Sequence, residues 1–96
     1  MSMTGGRAAA EQAETLALRA LAFIAADEER FQRFLALSGT TPDDVRERAT
    51  DPAFLAGVYD HMLGDEALLV AFADAADIAP EKVVAARYRL PGAVMD

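Results

Sequence analysis

Between Thr15 and Ala26 runs the stretch Thr-Leu-Ala-Leu-Arg-Ala-Leu-Ala-Phe-Ile-Ala-Ala, in which Arg19 is the only charge. Leu16, Leu18, Leu21, Phe23 and Ile24 point in too many helical directions to make one stripe. A helix that is apolar nearly all round belongs in a protein interior, with other elements on several of its sides. At ~1.5 Å rise per residue the stretch spans ~18 Å, short of the ~30 Å hydrocarbon core of a bilayer. The segment therefore predicts a central core helix and no membrane span.

Composition sharpens this. Twenty-two of the 96 residues are alanine, and the chain holds no Trp. Alanine loses no side-chain entropy in a helix, so the chain leans helical and its helices must approach closely to fill a core. The absence of cysteine removes disulfides, thiolate chemistry and Cys-ligated metals together. Arg7 is followed by Glu11 and Glu14 with no small-residue cleavage pattern, which reads as no signal peptide and a cytoplasmic setting. The net charge of −7 is uneven: Thr50 to Ala79 holds six acids and no Lys or Arg. A phosphate backbone is repelled there, so nucleic acid is an unfavoured partner.

Local signals divide the chain into a flexible N-terminal tail, residues 1–7, and one helical domain, residues 8–96. Helix 1 is expected from about Arg7 or Ala8 to Ala26. Asp27-Glu28-Glu29 caps a second helix with the stripe Phe31, Phe34, Leu35 and Ser38, ended by Gly39 as a left-handed residue. Thr41-Pro42-Asp43-Asp44 starts a short third helix with Val45 and Ala49 inward. Asp51-Pro52 repeats the signal for a fourth, with Phe54, Leu55, Val58, Tyr59, Met62 and Leu63 inward and Gly64 as its stop. Asp65-Glu66 opens a fifth with Leu68, Leu69, Phe72 and Ala76, and Pro80 a sixth with Val83, Val84 and Ala86 inward. The apolar residues Tyr88, Leu90, Val94 and Met95 are expected to fold back on the bundle. No segment alternates with period two, so no sheet is expected.

A shift of 38 residues superposes these marks: Asp27-Glu28 on Asp65-Glu66, Phe34 on Phe72, Pro42 on Pro80, Val45 on Val83. The expected fold is thus all-α, a compact orthogonal bundle of five to six short helices, as two pseudo-repeated three-helix units packed around helices 1 and 4.

Chemistry-bearing constellations are sparse. His61, the only histidine, has Asp60 beside it and Asp65 four residues on, a minimal set for a metal or acid–base site. Gly64 interrupts the helix between them, and Asp65 already serves as a cap. Ser38, Thr41 and Thr50 sit where turns and caps want hydroxyls, without a paired base. No Walker loop, G-x-S-x-G or G-x-G-x-x-G is present, and no cofactor is implied. Helices 2–3 and 5–6 have helix-turn-helix spacing with Arg46, Arg48, Lys82, Arg87 and Arg89 on the second members, offset by Asp43, Asp44, Glu47 and Glu81. The acidic block nominates Asp51, Asp60, His61, Asp65, Glu66, Asp74 and Asp77 as a partner surface, although caps account for several of these positions.

The strings Ala20-Leu21-Ala22-Phe23-Ile24-Ala25, Arg33-Phe34-Leu35-Ala36-Leu37-Ser38-Gly39, Asp51-Pro52-Ala53-Phe54-Leu55 and Asp65-Glu66-Ala67-Leu68-Leu69-Val70-Ala71-Phe72 resemble a small bacterial family of helical proteins, the domain of unknown function DUF3572. The resemblance covers most of the chain. Ala79 before Pro80 departs from the Asp usual in that pattern, which weakens one cap. The resemblance implies a bacterial cytoplasmic setting and carries no activity, ligand or site. The expected function is a non-enzymatic interaction or self-associating module, its partner a protein with a basic surface or a second copy. The alternatives are a degenerate helix-turn-helix regulator and, more remotely, a small metal or acid–base enzyme around His61.

Overall fold

A computed structural model describes the chain over residues 3–90, with side chains from residue 7 onward. Six helices follow one another: α1 (Met3–Ala25), α2 (Glu28–Ser38), α3 (Pro42–Arg48), α4 (Pro52–Leu63), α5 (Glu66–Ala76) and α6 (Pro80–Arg87). The described residues contain no strand.

Local chemistry sets most of the boundaries. Asp27 accepts a hydrogen bond from the Arg30 amide, Asp51 from that of Ala53 and Asp65 from that of Leu68, so each carboxylate satisfies one orphan donor of the helix it opens. Thr41 and Asp44 form a reciprocal capping box. The Asp44 carboxyl is held below its usual range by the backbone amide and then the hydroxyl of Thr41. Ala79 opens α6 without a side-chain bond, the weaker cap that its sequence anticipates. α1 begins at Met3, earlier than expected, and runs through Gly5-Gly6. Once a helix is nucleated downstream, each residue added to it gains a backbone hydrogen bond for the torsions it fixes.

α1 and α4 form the centre. α1 packs against α2, α4 and α6, and α4 against α1, α2, α5 and α6, while α3 is the least embedded element. The α1 contribution is the stripe Ala13, Ala17, Ala20, Leu21 and Ile24, at i, i+4, i+7, i+8 and i+11. Three of these are alanines, which lets the α4 residues Leu55, Val58, Tyr59 and Met62 fill the space beside them. α1 is therefore central in its contacts but is not enclosed: Leu18 is 38% exposed, and Ala22 and Ala25 face solvent. The expected central helix with neighbours on several sides is therefore found, and its remaining side faces solvent because a six-helix bundle of this length has too few elements to surround one of its own. Val84 also faces outward rather than inward. Ser38 likewise lies at the surface, and its hydroxyl donates to the Phe34 carbonyl at 2.7 Å.

One buried polar bond ties the two central helices. The Tyr59 hydroxyl donates to the Ala13 carbonyl at 2.6 Å, across 46 residues of sequence. Enclosure disfavours the phenolate and pushes the Tyr59 pKa up to about 12.

The helix starts of the two halves keep the 38-residue offset: Glu28 and Glu66, Pro42 and Pro80. Buried residues coincide as well, with Ala17 matched to Leu55, Ala20 to Val58, Leu21 to Tyr59, Ile24 to Met62, Phe34 to Phe72 and Val45 to Val83. The helix ends agree too. Gly39 closes α2 at φ 69°, and Asp77 closes α5 at φ 58°. In both cases the next amide reaches back to a carbonyl five residues earlier, Thr40 to Leu35 and Ile78 to Ala73. Asp77 thus makes a left-handed turn that glycine makes in the first half. Gly64, by contrast, ends α4 at φ −85°. Leu90 is buried on the core and Tyr88 is exposed, whereas Val94 and Met95 lie outside the described residues.

Two consequences follow for stability. Tyr59→Phe removes the only donor that links α1 to α4 through a side chain among the described residues, and a loss of about 1–2 kcal/mol is expected in urea denaturation. Asp77→Gly relieves the left-handed backbone at that position and should stabilise the chain by about 0.5–1 kcal/mol, read as a higher urea midpoint with unchanged slope.

Candidate functional site

The seven residues nominated from the acidic block divide among four environments. Asp51 and Asp65 are N-caps, their carboxylates engaged with the amides of Ala53 at 3.1 Å and Leu68 at 3.2 Å. Asp51 also borders a groove of about 310 Å3 between α2, the end of α3 and the start of α4, whose wall includes Phe34, Ser38, Arg48, Phe54 and Gly57. Glu66, Asp74 and Asp77 are exposed along α5 and its C-terminus.

Asp60 is committed within the fold. Arg87 of α6 donates Nε to its Oδ1 at 2.7 Å and an Nη to its Oδ2 at 3.2 Å, a two-pronged contact that suits the planar guanidinium. The Arg87 side chain is 9% exposed and that of Asp60 60%. Donating to the Asp60 carboxylate raises the Arg87 pKa further above its ordinary value. A buried guanidinium needs this partner, so Asp60 is positioned by the core and not by an external ligand. Arg87 is withdrawn in the same way from any nucleic-acid face, and Arg46 is paired with Asp43 on the surface of α3.

His61 turns away from Asp60. Its ring stands edge-on to Phe34 with centroids 5.0 Å apart, and it lines a second concavity with Arg30, Arg33 and Asp65. The structure therefore brings His61 and Asp65 to one pocket but leaves Asp60 on the α6 side of the same helix. Burial lowers the His61 pKa; Asp65 opposes that shift and Arg33 adds to it. At the 38-residue offset His61 corresponds to Phe23, which packs its ring on Phe72 with centroids 5.7 Å apart. The histidine thus occupies a site of aromatic packing whose neighbours on α2 are cationic.

No group of three or more His, Cys, Asp or Glu side chains among the described residues is arranged to hold a metal. No helix of the described residues is long and apolar enough to cross a membrane. Arg30 and Arg33 were not nominated from the sequence. Their only local signal is a spacing of three residues on one flank of α2, and the partner that gives them meaning lies on a different helix.

Residues 10–93 match the model of a family described as "Protein of unknown function (DUF3572)". No curated protein and no solved structure matches the chain.

The lowered pKa of His61 has a definite sign for stability. The unfolded chain holds its imidazole near the ordinary value of about 6.5 and so binds more protons than the folded chain just below that pH. The contribution of neutral His61 is complete above that value and is lost as pH falls through the folded pKa. His61→Phe removes this loss. In urea midpoints, its advantage over the parent chain should be larger at about pH 5 than at about pH 7.5.

Proposed function

Since the chain belongs to the DUF3572 family, whose description brings no activity with it, we propose from its surface that it is a helical interaction module without enzymatic chemistry of its own. In this reading it works in a bacterial cytoplasm and docks a protein with a basic face. The two halves are equivalent three-helix units, and the outer side of α5 is the docking element. The observation that carries the reading is the stripe Glu66, Val70 and Asp74, at i, i+4 and i+8, continued by Asp77. All four are exposed, and Val70 is 51% so. None of these acids forms an ion pair among the described residues. No Lys or Arg falls between residues 50 and 79 to dilute the field. An apolar side chain framed by unpaired carboxylates suits a partner surface with arginines or lysines around an apolar patch, where opposite charge speeds encounter and the apolar contact slows release.

This surface differs from the one expected from sequence. Asp51, Asp60 and Asp65 are occupied by the fold, which leaves the α5 face as the free part of the acidic block.

The test is affinity capture by the tagged chain and by its Glu66→Lys/Asp74→Lys variant, with the captured protein then titrated against both. Both positions are exposed, so folding is preserved. Binding should weaken by about tenfold in the variant, equivalent to ~1.4 kcal/mol, and should fall with rising salt. Equal affinity for parent and variant overturns the reading.

A further inference from the structure

The concavity behind His61 has a volume of about 250 Å3 and is lined by Arg30, Arg33, His61, Asp65, Ala67 and Leu68. Two arginines and the histidine thus share one concavity on a chain whose net charge is −7. Neither arginine forms an ion pair among the described residues. Arg30 rests its guanidinium carbon 4.8 Å from the centroid of the Phe23 ring. The side-chain N–H donors of Arg30 have no hydrogen-bond partner among the described residues. Arg33 lies one turn further along α2 and close enough to His61 to disfavour its protonation. The one acid in the pocket, Asp65, has its Oδ1 engaged with the Leu68 amide.

The scaffold does not require these cations. At the 38-residue offset Arg30 corresponds to Leu68, Arg33 to Ala71 and His61 to Phe23. The equivalent junction, between α5 and α1, therefore carries three apolar residues where the junction of α2 and α4 carries two arginines and a histidine. Placing two unpaired arginines beside a histidine at this junction costs stability through mutual repulsion, offset within the fold only by the contact of Arg30 with Phe23. An anion would reverse the sign of that cost.

We propose that this pocket binds a tetrahedral oxyanion, the phosphate group of a small molecule or the free ion, held by the guanidinium groups of Arg33 and Arg30 and by His61 in its protonated form. The forked donors of arginine match the oxygen spacing of a phosphate, and a dianion between them draws a proton onto the imidazole. Asp60 on the same helix faces Arg87 and takes no part, and Asp65 sets a limit on affinity through its own charge. This site is separate from the α5 face proposed for protein docking, so either can fail without the other.

The single histidine makes the test direct, because one imidazole resonance reports the site. The pKa of His61 is measured by NMR in sodium sulfate, which stays dianionic throughout the titration, and in sodium chloride of equal ionic strength. Sulfate should raise that pKa by about one unit, with saturation at millimolar concentration, and chloride should not. The response should disappear in Arg33→Gln, an exposed position whose replacement leaves the bundle folded, and weaken in Arg30→Gln. A shift that is equal in chloride, that never saturates, or that persists in Arg33→Gln overturns the proposal. Inorganic phosphate and glycerol 3-phosphate, compared in the same way, identify the source: tighter binding of the ester assigns the site to an organic phosphate, and tighter binding of the ion to phosphate itself.

Discussion

The close approach of α1 and α4 is the contact on which the remaining helices depend. Ala13, Ala17 and Ala20 present almost no side-chain volume, so α4 can bring Leu55, Val58, Tyr59 and Met62 against the α1 surface without leaving voids. Bulk on one helix and its lack on the other form a single solution, and enlarging either side means overpacking. The Tyr59–Ala13 hydrogen bond then fixes the register of the pair, because losing it would leave a buried hydroxyl unpaired. α2 and α6 lie on α1, and α5 and α6 on α4, so the outer helices inherit their positions from this pair.

Much of this was legible in the sequence because its causes are local. Asp27, Thr41, Asp51 and Asp65 open helices through hydrogen bonds that reach two or three residues, and Gly39 closes one through a single backbone torsion. The all-α fold, the six helices and their packing around α1 and α4 follow from such signals together with apolar periodicity. What the sequence hid depends on which helix lies beside which. Leu18 and Val84 look interior by composition, yet the bundle has no further element to cover them. Asp77 reads as one more surface acid, and its left-handed torsion emerges only once α5 must turn tightly into α6.

The charged residues show the same limit. Asp60 and Arg87 are 27 residues apart, and neither has a neighbour that hints at the other. In sequence the aspartate belongs to an acidic block and the arginine to a basic segment; in the fold each cancels the other at the α4–α6 contact. His61 looked like the partner of Asp60 because the two are adjacent, yet consecutive residues on a helix point about 100° apart. The arginines that face His61 sit on α2, about thirty residues away, where periodicity arguments do not reach.

The span of the α1–α4 contact also constrains how the chain acquires its shape during synthesis. A ribosome releases α1 first, with its alanine–leucine stripe exposed, and its partner α4 begins only at Pro52. Until then α2 is the neighbour that can shelter α1, since α6 arrives last of all. Short hydrophobic side chains are well suited to such a wait. The face of α1 that awaits α4 is dominated by alanine and exposes little sticky surface, whereas its leucine, tyrosine and methionine counterparts lie on α4, which emerges to find that face ready to receive it. The asymmetry between the two central helices thus sets a direction, with the smoother surface made first and the one that needs immediate cover made second.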